Sequence, residues 1–266
     1  MEKIAIIGGG NLGVAIARGL TGSGKYKQDD LILTRRHVAK IEELKKEGFN
    51  ISNDNVRATQ QASTIVLCVQ PKQLADVIAE IKNQLEPGRH TLVSTITGVT
   101  TSEIQKLVDK DIAIVRAMPN TAIAIGQSMT CICSSNAPKE TLSRIEALFE
   151  PLGQTLIIEE RLMKAATVLA ASGIAFFMRY MRAATQGGIQ LGFDAEEAQL
   201  IAGQTALGAA SLLLKNNSHP EIEIDKVTTP EGCTIAGLNE MEHQGLSSAL
   251  IKGILSSYEK INNIRN

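Results

Sequence analysis

The residues with the plainest chemical meaning are a glycine turn near the start of the chain and a threonine turn near its end. Gly8-Gly9-Gly10-Asn11-Leu12-Gly13 has the GxGxxG spacing. It follows the apolar run 3–8 and opens a helical pattern, which is the context a dinucleotide-binding turn requires. Gly8 is expected to allow the tight turn, Gly10 to let the backbone approach a pyrophosphate, and Gly13 to let helix and strand pack closely. The free N–H groups and partial positive charge of the helix N-terminus suit phosphates. The structural alternative is a glycine-rich turn that holds no ligand.

The end of the second strand bears on which nicotinamide nucleotide such a turn would hold. An NAD site places an acid there, ~20 residues beyond the glycines, to bind the ribose 2′-hydroxyl. This chain has Thr34-Arg35-Arg36 at that place, and Asp29 and Asp30 precede the strand. A guanidinium binds a 2′-phosphate bidentately, whereas a carboxylate repels it. NADP(H) is the expected cofactor and NAD(H) the alternative. Both arginines could instead simply solvate a helix start.

Three further segments fall where strand or helix ends could border a cofactor. Val69-Gln70-Pro71-Lys72 follows the third strand, and Arg116-Ala117-Met118-Pro119-Asn120-Thr121 follows the fifth. Ligands of open α/β sheets lie outside the carboxyl ends of the strands, so both segments are placed to border a nicotinamide. Each could equally be an ordinary turn. Asp225 to Thr234 reads DKVTTPEGCT and opens the last helical stretch. Threonine hydroxyls, a glycine and a helix N-terminus make a carboxylate site, although Thr229 and Thr234 could be plain capping residues.

These residues need a scaffold, and the rest of the chain supplies one. Strand patterns at 3–8, 31–34, 64–69, 91–94 and 112–115 alternate with helical patterns at 11–22, 38–46, 73–84 and 101–108. That βαβ rhythm predicts an α/β fold of Rossmann type, a doubly wound and mostly parallel sheet. Strands at 128–133 and 154–158 flank a helix at 139–149. From residue 161 on, the spacing predicts only long helices, at 161–191, 194–215 and 234–262. Leu200, Ile201, Leu207, Leu212, Leu213 and Leu214 occupy most faces of the second of these. A helix apolar nearly all round must be buried on most sides. Two domains follow, a dinucleotide-binding domain over 1–160 and an all-helical domain over 161–266 that packs on another subunit.

Composition narrows the function further. The chain has 266 residues, 44% of them hydrophobic, so a large core is available. A net charge of −1 gives no field favouring nucleic acid or an anionic membrane. Aromatic residues are 3% and Trp is absent, which argues against stacking platforms for bases or sugars. Cys68, Cys131, Cys133 and Cys233 show no metal-ligand spacing and read as free thiols of a reduced cytoplasm. No run reaches ~18 uninterrupted apolar residues, and a strand beginning at Lys3 leaves no room for a cleaved leader.

Taken together, IAIIGGGNLG, VQPKQ, RAMPNT and DKVTTPEGCTIAGLNEME resemble the pyrroline-5-carboxylate reductases, and the likeness runs over nearly the whole chain. The resemblance implies reduction of a cyclic imine by hydride from NAD(P)H, giving L-proline. It also implies a helical domain that interlocks two subunits, with higher assemblies common. Carried over by position, Gly8, Gly10, Asn11 and Leu12 match the pyrophosphate loop, and Arg35 and Arg36 the 2′-phosphate region. Val69, Pro71 and Lys72 match the loop beside the nicotinamide. Met118, Pro119 and Asn120 match the segment lining the cleft near the same ring. Thr229, Gly232, Cys233 and Thr234 match the turn that holds the substrate carboxylate and ring nitrogen, with Thr234 as the catalytic hydrogen-bonding residue.

Two stretches depart from that family pattern. Ala171-Ser172-Gly173-Ile174-Ala175-Phe176 lacks a second Gly and a Pro, and Pro230-Glu231-Gly232-Cys233-Thr234 carries Glu and Cys where Gly and Thr are usual. Glu231 is expected to face solvent, because its charge would oppose a substrate carboxylate. The implied reaction needs little acid–base machinery, since a protonated imine is already electrophilic. His37, His90, His219 and His243 are accordingly read as structural or exposed. Two rival readings are a β-hydroxyacid dehydrogenase using Lys164 and a non-catalytic NADP-binding protein.

Overall fold

The computed structural model describes residues 2–262, Asn262 by its backbone alone; Met1 and residues 263–266 of the two expected domains lie outside the described residues. Eight strands form one sheet: β1 Ile4–Ile7, β2 Leu31–Thr34, β3 Asn50–Ser52, β4 Thr64–Leu67, β5 Thr91–Ser94, β6 Ala113–Met118, β7 Ser128–Cys133 and β8 Gly153–Ile157. Their order is β3-β2-β1-β4-β5-β6-β7-β8. Every neighbouring pair is parallel except β6 with β7. Ile4 of β1 is in register with both Leu31 and Thr64, so the strand order reverses on either side of β1. That reversal opens a crevice at the carboxyl ends of β1 and β4.

The described helices are α1 Asn11–Gly22, α2 Glu43–Lys46, α3 Asn55–Gln61, α4 Leu74–Ile81, α5 Thr101–Val108, α6 Lys139–Phe149, α7 Met163–Ala166, α8 Gly173–Gln190, α9 Ala195–Asn216, α10 Pro220–Lys226, α11 Cys233–His243 and α12 Leu246–Asn262. All four residues of β1, β2, β4 and β5 are buried, as helices on both faces of a parallel sheet require. Ile6, Leu33 and Val66 face one core with Ile16 and Leu20 of α1 and Phe149 of α6. Ile7, Ile65 and Leu67 face the other with Ile78 of α4 and Ile104 of α5. Each such side chain contributes about 1.5–3 kcal/mol by burial, and the alternation along each strand locks its register.

Several local expectations change. The helical stretch 38–46 splits into a 3-10 turn and the single turn α2, and Gly48, at φ +92°, ends it. Strand β3 and helices α3 and α10 are additions, and all three are short and polar. The first expected long helix is a composite of α7, a π-helical stretch at Thr167–Ser172, and α8. The last is broken by Gly245, at φ +79°, into α11 and α12. A left-handed glycine there ends α11 because no other residue adopts that conformation so readily.

The chain forms two compact units, residues 2–172 with 257–262, and residues 173–256. Residues 161–172 thus stay with the first unit, because Met163 and Ala166 pack with Met118, Cys131 and Cys133. In the second unit α8 lies along α9, close enough that a Cβ on Gly188 would stand 2.9 Å from the Ala198 Cβ. Much of the apolar surface of these helices is uncovered in one chain: Leu214 is 81% exposed, Leu200 71% and Phe177 70%. The helical run 160–190 is long and apolar enough to cross a membrane by length and composition alone. Arg161, Lys164, Arg179 and Arg182 interrupt it.

Candidate active site

The glycine turn connects β1 to α1 at the crevice. Gly8 and Gly9 donate N–H bonds to the Thr34 carbonyl at 3.1 and 2.7 Å, which ties the turn to the end of β2. Gly8 has φ +110°, and a Cβ on it would lie 2.4 Å from the Cys68 carbonyl oxygen. A Cβ on Gly13 would lie 2.3 Å from the Gly8 carbonyl oxygen. Around Gly10 there is open space to 4 Å. Gly10 also caps α1 without a side-chain hydrogen bond, so the first N–H groups of the helix stay available. Steric need explains two of the glycines, and the third borders a void in front of unsatisfied donors. Those features fit a dinucleotide pyrophosphate.

A cleft of about 560 Å3 opens in front of this turn. It brings together Gly8, Gly10, Arg35, Arg36 and Val69 from the motifs. Arg35 donates from Nη1 to the Gly9 carbonyl at 2.7 Å and from its backbone N–H to Ser52 at 2.9 Å. It therefore joins glycine turn, β2 and β3. His37 and Lys40 add to this basic side of the cleft, and Asn55, Asp76 and Glu80 line it as well. None of these five belongs to a sequence motif of a nucleotide site. Asn55 and Glu80 come from α3 and α4, and no motif marks them.

Other motif residues lie outside that cleft's lining. Asn11 and Leu12 begin α1, and Leu12 packs against the core. Pro71 and Lys72 form a 3-10 turn closed by a bond from the Gln70 N–H to Gln73 Oε1 at 3.0 Å. Met118 and Asn120 are buried. Asn120 accepts from the Ala122 N–H at 3.0 Å and donates to the Ala170 carbonyl at 3.2 Å, which ties the loop after β6 to the π-helical stretch.

Arg116, just before that loop, is 3% exposed. Its Nη1 pairs with Glu160 Oε1 at 3.2 Å, and its Nε has no hydrogen-bond partner among the described residues. Glu160 also accepts from the Thr101 N–H and hydroxyl, at 2.7 and 2.6 Å. Burial would raise the Glu160 carboxyl, but the two Thr101 bonds and the Arg116 charge outweigh it and hold the group below the usual carboxylate range. Burial pushes the Cys68 thiol up to about 12 and the Cys133 thiol up to about 11, so neither is a thiolate nucleophile at neutral pH. His90 is buried and structural: its Nδ1 accepts from the Glu86 N–H at 2.9 Å and its Nε2 contacts the Thr59 carbonyl at 3.2 Å.

The threonine turn belongs to the second unit. The Gly232 N–H closes it on the Thr229 carbonyl at 3.0 Å. A Cβ on Gly232 would stand 2.4 Å from Thr229 Oγ1 and 3.0 Å from the Thr229 carbonyl oxygen, so a larger residue there would push the Thr229 hydroxyl aside. Glu231 is exposed, as expected, but takes φ +59°, a left-handed conformation that favours the glycine it replaces. Cys233 and Thr234 open α11, whose cap Gly232 again makes no side-chain bond. Backbone donors at the start of α11 and the Thr229 hydroxyl beside Gly232 thus share one turn, a combination able to hold a carboxylate. Lys164, the residue a β-hydroxyacid dehydrogenase would use, is half-buried in α7.

The sheet order, the glycine turn and the basic cleft define a dinucleotide-binding oxidoreductase that carries a separate helical unit. Pyrroline-5-carboxylate reductase 2 of Dictyostelium discoideum is 46% identical to the chain over 275 residues, covering 97% of this chain and 92% of that protein. The chain belongs to the pyrroline-5-carboxylate reductase family. Residues 160–264 match the model for pyrroline-5-carboxylate reductase dimerisation, and residues 3–98 match that for NADP oxidoreductase, coenzyme F420-dependent. Pyrroline-5-carboxylate reductase 1 of the same organism is 47% identical over 269 residues, 97% of this chain, and the chain spans about half (49%) of its length. The solved pyrroline-5-carboxylate reductase of Coxiella burnetii shares 29% identity and superposes with a TM-score of 0.90 over 99% of this chain and 98% of that one.

Proposed function

We infer that this protein reduces 1-pyrroline-5-carboxylate to L-proline in proline biosynthesis. The reduced nicotinamide supplies a hydride to the imine carbon when it is bound. The observation that carries the reading is the cleft in front of the glycine turn, in a chain that matches a reductase of this name along nearly all of both sequences.

Gly8 makes the tight turn and Gly10 lets the backbone approach the pyrophosphate, the N–H groups of Asn11 and Leu12 at the start of α1 hold it, and Arg35 and Arg36 bind a 2′-phosphate. Val69, Pro71 and Lys72, with Met118, Pro119 and Asn120, shape the nicotinamide end. Thr229, Gly232, Cys233 and Thr234 hold the substrate carboxylate and ring nitrogen. Thr234 donates to or relays a proton at that nitrogen, the single catalytic contact. Hydride delivery neutralises a protonated imine, so alignment and exclusion of water are the chain's main tasks. Residues 161–266 serve as the dimerisation and substrate domain, and the uncovered leucines of α9 suit that role. Assemblies larger than the dimer and a cytoplasmic location complete the reading, the latter supported by four free cysteines.

The test is an NADPH-oxidation assay with pyrroline-5-carboxylate, repeated with NADH. Turnover with the imine and none with 3-hydroxy acids is expected. Tight cofactor binding without turnover on any cyclic imine would refute the reading.

A further inference from the structure

Beyond the arginines, the nucleotide cleft contains a second polar system of opposite sign. Thr34 ends β2, where an NAD-binding site would carry its acid. The Thr34 hydroxyl donates to Asn55 Oδ1 at 2.5 Å, and Asn55 Nδ2 donates to Glu80 Oε2 at 2.8 Å. This relay runs from the end of β2, through the first residue of α3, to the last turn of α4. Thr34, Asn55 and Glu80 all line the cleft that Arg35 and Arg36 line. Oε1 of Glu80 has no hydrogen-bond partner among the described residues. A carboxylate with one oxygen anchored and the other open to a nucleotide cleft accepts a hydroxyl well and opposes a phosphate. The guanidinium groups that line the same cleft have the reverse preference.

We propose that Glu80 is the specificity-determining acid of this reductase: supplied from α4, it accepts the adenosine ribose 2′-hydroxyl of NADH and opposes the 2′-phosphate of NADPH. The inference rests on the reading of this cleft as the nucleotide site. Arg35 and Arg36 favour one cofactor and Glu80 the other, so the enzyme uses both. Asn55 fixes the carboxylate, with its Oδ1 already committed to Thr34. Asp76 lies one turn earlier on α4 and also lines the cleft, but it makes no hydrogen bond to Asn55. It separates the effect of a directed carboxylate from that of negative charge on the helix.

The experiment compares kcat/KM for NADPH and for NADH in the full-length protein and in Glu80→Gln, Asp76→Asn and Arg35→Ala/Arg36→Ala variants. Glu80→Gln is expected to raise the NADPH/NADH ratio about tenfold, the scale of one charge-assisted hydrogen bond. Asp76→Asn is expected to leave the ratio within about twofold, as a solvated charge would. An unchanged ratio in Glu80→Gln overturns the proposal, and so does an equal shift in both acidic variants. If the double arginine variant lowers the ratio while Glu80→Gln does nothing, the cleft reading stands and the proposal alone falls. If no variant alters KM for either cofactor, the cleft reading itself falls.

Discussion

The α-carbon of Gly13 sits against the carbonyl of Gly8, so near that a Cβ there would come within 2.3 Å of the oxygen. Gly10, three residues earlier, faces nothing within 4 Å. The two glycines of one motif therefore fail in different ways. Gly13→Ala should destabilise the fold by about 1–3 kcal/mol, the cost of forcing a methyl group into a packed contact. Gly10→Ala should leave the melting temperature nearly unchanged and raise Kd for NADPH, because its methyl group enters only the space in front of the helix. Thermal melts with and without nucleotide separate the two. Equal losses of Tm without cofactor would contradict this division.

Arg35 braces the glycine turn through the Gly9 carbonyl, whereas no side-chain hydrogen bond of Arg36 is formed among the described residues. Arg36→Ala should raise KM for NADPH about tenfold or more, as loss of a charge-assisted contact does, and leave KM for NADH little changed. Arg35→Ala should also disturb the turn and raise KM for both cofactors. Steady-state kinetics with each nucleotide is the check.

The pair Arg116 and Glu160 makes a prediction about pH. The folded Glu160 carboxyl lies below its ordinary value. Its contribution to stability is therefore complete above the unfolded pKa of ~4.3 and is lost as pH falls through the lower folded value. Glu160→Gln should lose about 3 kcal/mol at neutral pH by leaving Arg116 buried without its counter-charge. The deficit against the parent protein should shrink in acid. Urea denaturation across that pH range would show it, and a constant deficit would exclude the linkage.

How much of this could be read from residues alone varies along the chain for physical reasons. Strands such as Ile4–Ile7 and Thr64–Leu67 are short apolar runs ended by Gly or by residues near Pro, and helices on both faces demand such runs. The segment Asn50–Ser52 is an edge strand held mainly by backbone pairing with β2, so its side chains carry little signal. Helix Asn55–Gln61 begins on Asp54, whose side chain accepts from the Arg57 N–H at 2.8 Å. Its apolar face is too small to show a period. The glycine turn and Arg35 were legible because a fixed local geometry demands them. Asn55 and Glu80 enter the cleft through tertiary packing, which no local spacing encodes. Gly245, between Gln244 and Leu246, separates α11 from α12 at φ +79°, but the apolar pattern resumes at Leu246 and makes the two helices read as one.

Glu231 occupies a left-handed turn position at φ +59°. Glu231→Gly should stabilise the protein by about 0.5–1 kcal/mol, the left-handed penalty of ~1–2 kcal/mol less the backbone entropy that glycine adds to the unfolded chain. Turnover should be retained or increased, since a charge near the carboxylate turn is removed. A lower Tm would show that the side chain is held by contacts outside the described chain.

The exposed leucines of α9 test assembly. Leu200→Glu with Leu207→Glu should shift the protein to monomer in sedimentation velocity, because burying charged groups in an apolar interface is strongly unfavourable. Both positions are exposed in a single chain, at 71% and 59%, so the folded monomer should survive. A dimer unchanged by both substitutions would place the interface elsewhere.

Hydride transfer itself is most directly followed with NADPH deuterated at nicotinamide C4, pyrroline-5-carboxylate and the full-length protein. L-Proline should form one for one with oxidised cofactor and carry deuterium on the former imine carbon. Cofactor bound tightly in the cleft with no labelled proline formed would contradict a reductase role.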